Sequence, residues 1–185
     1  MEIQLGDIVS IDVTCFVNGF FGDNCRTFVA SNTDIESLKL MYVTKKALME
    51  SIAKVGPGVE LCTIGNTIDQ VVAPYNFGIV REYRGHGIGT SMHTLPLVKH
   101  YKNQDNFLLK EGMTFTIEPM ITEGTRDCIC WKDGWTIATK DNLRSAQYEH
   151  TILVTQHGAE VITPYEKEDE EIRELECAIG KENIR

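Results

Sequence analysis

Residues 81–120 read REYRGHGIGTSMHTLPLVKHYKNQDNFLLKEGMTFTIEPM, and the rest of the chain is organised around this stretch. Gly85, Gly87 and Gly89 surround His86. Residues without side chains let a backbone approach a ligand closely, so this imidazole is expected at the mouth of a cleft. His93 follows seven residues later. From Thr114 to Met120 the chain alternates, with Thr114, Thr116 and Glu118 on one face of a strand and Phe115 and Ile117 on the other. A glutamate among apolar residues, ended by Pro119, is costly to bury unless a cation or a proton meets it. Two histidines and a strand-borne carboxylate therefore point to a hydrolytic metal site.

Upstream, Val9, Ile11 and Val13 alternate with Ser10, Asp12 and Thr14, which predicts a strand with one polar face. Asn18-Gly19 is a strong hairpin signal, because both residues of such a turn must accept positive φ, and residues 20–29 form the return strand. Folding there brings Asp23 to within a residue or two of the position opposite Asp12. Like charges so placed repel unless a bound metal balances them; the alternative is a pair of solvated aspartates at a strand edge.

Between residues 33 and 55, Ile35, Leu38, Met41, Tyr42, Leu48 and Ile52 recur at helical spacing with Glu36, Lys39, Lys45, Lys46 and Glu50 between them. This predicts an amphipathic helix over a sheet, ended by Gly56-Pro57-Gly58. Leu61, Ile64, Ile68, Val71 and Val72 mark a second helix that stops near Pro74, and a strand resumes over 77–82. Beyond Met120, residues 122–131 and 136–140 read as strands joined by Lys132-Asp133-Gly134, and residues 145–154 as the last strong strand, with Gln147 and Glu149 on one face. Residues 1–164 thus read as one domain, and the acidic run over 165–185 as a solvated tail or a short surface helix.

The net charge of −9, from 27 acidic against 18 basic residues, argues against a nucleic-acid surface as the main function, since phosphate binding needs a basic patch. Six cysteines without a regular framework read as reduced thiols, hence a cytoplasmic protein; Cys128 and Cys130 stand too close for a zinc knuckle. No apolar run reaches membrane-spanning length, and no signal peptide is visible.

The polar residues on strand faces collect into Asp12, Asp23, His86, Glu118 and Glu149. Oxygen-rich ligation with one nitrogen suits Mn²⁺, Fe²⁺, Co²⁺ or Zn²⁺ with open positions and is too poor in sulfur for structural zinc. Four carboxylates exceed what one divalent ion needs, so two ions that activate water are expected.

The segments GDIVSIDVT, NGFFGD, GHGIG with His93, FTIEPM, DGWT and SAQYEHT, taken in order, resemble the signature set of the type 1 methionine aminopeptidases. The resemblance runs from Gly6 to about Thr163. It implies an α+β pita-bread fold, a curved antiparallel sheet covered by helices. By that resemblance Asp12 chelates one ion, Asp23 and Glu149 bridge both, and His86 and Glu118 complete the other. Glu118 would also shuttle a proton, and His93 would contact the substrate carbonyl. Trp135 would line the pocket for the methionine side chain. Met92 stands where the family usually has an aromatic pocket residue, and Thr14, Thr116 and Gln147 fall behind the ligands. His100, His150 and His157 are left as structural residues, the first and last in polar loops and His150 on the strand face opposite Glu149.

Members of that family carry a stretch of helix and strand ahead of the GDIV strand, with a further active-site histidine and much of the methionine pocket. This chain begins after it, as an N-terminally truncated relative. An open sheet edge is then expected to self-associate with another chain, and metal is expected to bind more readily than substrate. The implied function is removal of the initiator methionine from peptides and nascent chains, with the ribosome as a candidate partner, no membrane and no specific nucleic acid. An aminopeptidase for Xaa-Pro bonds shares the ligands, although FTIEPM, DGWT and QYEHT look like the methionine branch. The other class is a non-catalytic relative or fragment that acts as a binding module.

Overall fold

A computed structural model of the chain describes residues 2–180 together with 183 and 184. The N-terminal hairpin pairs β1 (Ile8–Val17) with β2 (Phe20–Val29) through ten registered residue pairs. Asn18 and Gly19 both take positive φ at the turn, 51° and 89°, the conformation that joins two strands without splaying them. Thr14 lies opposite Asp23 and Asp12 opposite Cys25, so the two aspartates are diagonal neighbours on one face.

Helix α1 (Ile35–Ile52) begins at Asp34, whose carboxylate accepts the Ser37 N–H at 2.8 Å. Helix α2 (Cys62–Val72) runs into a single 3₁₀ turn over Ala73–Tyr75, where Pro74 has no N–H to give. Then follow β3 (Gly78–Ile79), β4 (Gly85–Gly87), β5 (Thr94–Val98), β6 (Thr114–Ile117), β7 (Met120–Thr122), β8 (Cys128–Cys130), β9 (Ile137–Thr139), β10 (Ser145–Gln147), β11 (Glu149–Thr155), β12 (Gly158–Val161) and α3 (Glu168–Ile179). The strands expected over 77–82 and 122–131 are shorter than their patterns suggested, and β12 had no expectation at all.

A seven-stranded sheet has the order β1-β2-β11-β6-β4-β5, with β12 paired to β11. A three-stranded sheet, β10-β7-β3, and the β8–β9 ribbon complete the set, and the strand pairs among the described residues are all antiparallel. The single strand expected over 145–154 is two: β10 pairs with β7 and β11 with β2 and β6. The chain changes sheets at Tyr148, which is buried. Leu40 and Leu48 of α1, Ile64 and Ile68 of α2, and Phe115, Ile117 and Ile152 of the sheet form the core.

Two expectations change in the core. Lys45, placed by its spacing on the polar side of α1, is only 1% exposed, because its ammonium binds Glu168 at 2.7 Å and also Glu171, both on α3. The acidic C-terminal segment accordingly lays α3 against α1, with Leu175 and Ile179 in the core. No helix among the described residues is long and apolar enough to cross a membrane.

Candidate metal centre

Four separate segments bring carboxyls and an imidazole to one cleft of about 500 Å³. Its lining includes Asp12, Asp23, His86, Glu118 and Glu149, with Met92 and His93 at its exposed side. The pairing of β2 with β11 sets Glu149 opposite Cys25, two residues from Asp23, and β6 between β11 and β4 carries the sheet across to His86. Asp23, His86 and Glu149 are buried, and each offers one ligand atom within 4.8 Å of the others. His86 Nε2 stands 3.8 Å from Asp23 Oδ2 and 3.7 Å from Glu118 Oε1. Those distances are too long for hydrogen bonds, and they are the spacing of atoms that surround a common ion at about 2.0–2.2 Å.

Hydroxyls back these groups. Thr14 donates to Asp23 Oδ1 at 2.9 Å, and Thr116 donates to Glu118 Oε1 at 2.8 Å while accepting the His86 N–H at 3.0 Å. Thr151, which sequence reading passed over, holds the Asp23 backbone at both its N–H (3.1 Å) and its carbonyl (2.9 Å).

Crowding shows in the proton affinities. Burial, then the charges of Glu118, Asp23 and Asp12, push the Glu149 carboxyl up to about 10. Burial also takes Glu118 up to about 8, with Asp12 and Asp23 adding to the rise and the Thr116 hydroxyl opposing it. Asp12 rises to about 6 through partial burial and the Asp23 charge. His86 moves the other way, burial disfavouring its cationic form. Three carboxyls that resist ionisation, with Asp23 and a neutral imidazole beside them, are a donor set that divalent cations would satisfy. The residues present fit such ions.

Other expectations change here. A side chain on Gly85 would run into the Thr116 carbonyl, and one on Gly87 into the Leu95 carbonyl, so these glycines admit neighbouring backbone rather than a ligand. Trp135 stands 86% exposed in the β8–β9 turn, where Asp133 accepts its N–H at 3.0 Å, and is not among the residues lining the cleft. Gln147 bonds Thr27 through its backbone, while its buried side-chain Nε2 finds no partner among the described residues. His100, expected in a polar loop, is buried and neutral, burial alone lowering it to about 3. His150 faces away from the cleft toward Glu168 at 3.1 Å, and His157 is exposed.

Residues 1–156 match the metallopeptidase family M24. The chain belongs to this family. Among M24 relatives, it is 47% identical over 165 residues to the methionine aminopeptidase of Buchnera aphidicola subsp. Acyrthosiphon pisum (strain APS), a match that covers 89% of this chain and 62% of that one. The crystal structure of methionine aminopeptidase from Rickettsia prowazekii superposes with a TM-score of 0.85 at 43% identity, covering 88% of this chain and 66% of that one. The prolidase from Pyrococcus furiosus gives 0.70 at 26% identity, covering 89% and 43%. The sheet and its helices are the M24 pita-bread fold. The chain spans less than two thirds of the length of these relatives, and α3 lies beyond the residues matched to M24.

Proposed function

We propose that this chain is the metal-binding part of a methionine aminopeptidase, which removes methionine from the N-terminus of peptides and nascent polypeptides. The observation that carries this reading is the approach of Asp23, His86 and Glu149 ligand atoms to within 4.8 Å in a cleft that also holds Asp12 and Glu118. The identity to methionine aminopeptidases, higher than to the prolidase, favours methionine over Xaa-Pro substrates.

Two divalent ions would be held by Asp12, Asp23, His86, Glu118 and Glu149. When bound, such ions supply Lewis acidity and make water acidic enough to attack a peptide carbonyl at neutral pH. The chain's own residues do the rest. Glu118, gripped by Thr116, holds and releases a proton at its carboxyl. His93, whose ring lies 4.2 Å from that of His86 in an edge-on arrangement, faces the exposed side of the cleft and orients the scissile carbonyl of the substrate. Met92 beside it offers a polarizable apolar contact to the substrate side chain. All six cysteines are free, which supports a cytoplasmic setting.

Titration calorimetry of the metal-free chain with Mn²⁺ tests the site. We expect two ions per chain in the wild type and loss of both in Glu149→Ala. Unchanged binding in that variant would overturn the assignment.

A further inference from the structure

We infer that His100, which lies outside the ligand set, is a positioning residue that fixes Glu118 for metal binding. This inference rests on the metal-site reading above. Strand β6 pairs with β4 at Phe115 and with β11 only as far as Ile117. Glu118 comes next, where the chain leaves the sheet, and Pro119 follows it. The buried N–H of Glu118 therefore has no strand partner, and it donates instead to His100 Nε2 at 3.1 Å. A buried amide left without an acceptor is costly, so this bond fixes where the Glu118 backbone sits. Thr116 holds the other end of the same residue at Oε1. Glu118 is thus gripped at both its backbone and its carboxyl.

The ring is itself held firmly. Val98, the last residue of β5, pairs with Gly85 beside His86. The carbonyls of Lys99 and Tyr101, on either side of His100, press against α2 at Gly65, where any side chain would collide with them. His100 thus ties α2 and β5 to the peptide that carries Glu118. Its chemistry suits the place. An aspartate or glutamate here would add another negative charge beside carboxyls that already resist ionisation, whereas a neutral imidazole accepts the amide without one.

The test is Mn²⁺ titration calorimetry on the full 185-residue chain as wild type, His100→Leu and His100→Gln, with circular dichroism of each metal-free protein. Leucine fills space but accepts nothing; glutamine places a carbonyl oxygen near the Nε2 position. We expect His100→Leu to lose about tenfold or more in Mn²⁺ affinity while folded, and His100→Gln to stay within about threefold of wild type. Equal affinity in wild type and His100→Leu would overturn the inference, as would equal losses in both variants or unfolding of both, which mark a packing role. Absence of Mn²⁺ binding by the wild type would instead overturn the metal-site reading, and the inference with it.

Discussion

Thr116 donates its hydroxyl to Glu118 Oε1 at 2.8 Å and with the same oxygen accepts the His86 N–H at 3.0 Å. One hydroxyl therefore holds the Glu118 carboxyl and the backbone amide of His86, whose imidazole faces that carboxyl at 3.7 Å. Thr116→Val keeps the shape and removes both bonds. We expect Mn²⁺ affinity to fall about tenfold, in the range usual for groups that orient metal ligands. Calorimetry at constant pH checks this, and affinity equal to wild type would show that Thr116 only fills space.

Much of this arrangement was legible in the sequence, and the failures have physical causes. Alternation around Asn18-Gly19 predicted the hairpin and the neighbouring aspartates because both are local consequences of register. The spacing of apolar residues placed α1 and α2. Lys45 was misplaced because helical periodicity knows nothing of Glu168 and Glu171, which reach it from more than 120 residues away. Gly85 and Gly87 suggest ligand approach in the sequence, yet it is the neighbouring backbone at Thr116 and Leu95 that demands them. His100 gave no signal, since its partner is a backbone amide 18 residues distant rather than a pattern of side chains.

The metal-free chain should lose stability as pH rises. Glu118 and Glu149 have folded-state proton affinities raised to about 8 and about 10, above the unfolded value of 4.5. Groups raised in this way contribute their full stabilisation below the unfolded value, and it is lost as pH climbs through the folded ones. In chelator, the melting temperature should therefore fall steadily between about pH 5 and 9, and saturating Mn²⁺ should flatten the decline. A chelated melting temperature that rises over that interval would contradict the site's electrostatics.

Buried Lys45 should matter far more than its neighbour on α1. Lys45→Ala leaves Glu168 and Glu171 without their ammonium partner beneath α3 and should cost about 3 kcal/mol or more. Lys46, with one loose pair to Glu50 at 3.9 Å, should cost under about 0.5 kcal/mol on truncation. Urea unfolding of the two variants makes the comparison, and equal costs would show that the α3 contact is dispensable.

Strand β1 closes the main sheet on one side, with Ile11, Val13, Phe16 and Val17 all more than half exposed. This ten-residue edge has no lysine or proline and Asp12 as its one charge, so it is weakly guarded against pairing with a second copy. Sedimentation velocity should show concentration-dependent association of the wild type and weaker association of Val13→Lys. Both proteins sedimenting as monomers at every concentration would refute the edge as an interface.

The most direct test is release of free methionine from a Met-Ala peptide by the Mn²⁺-loaded chain, followed by mass spectrometry beside Glu149→Ala and a chelated control. We expect slow, metal-dependent release of methionine, abolished by Glu149→Ala and by the chelator. Release that survives both the chelator and Glu149→Ala would contradict it.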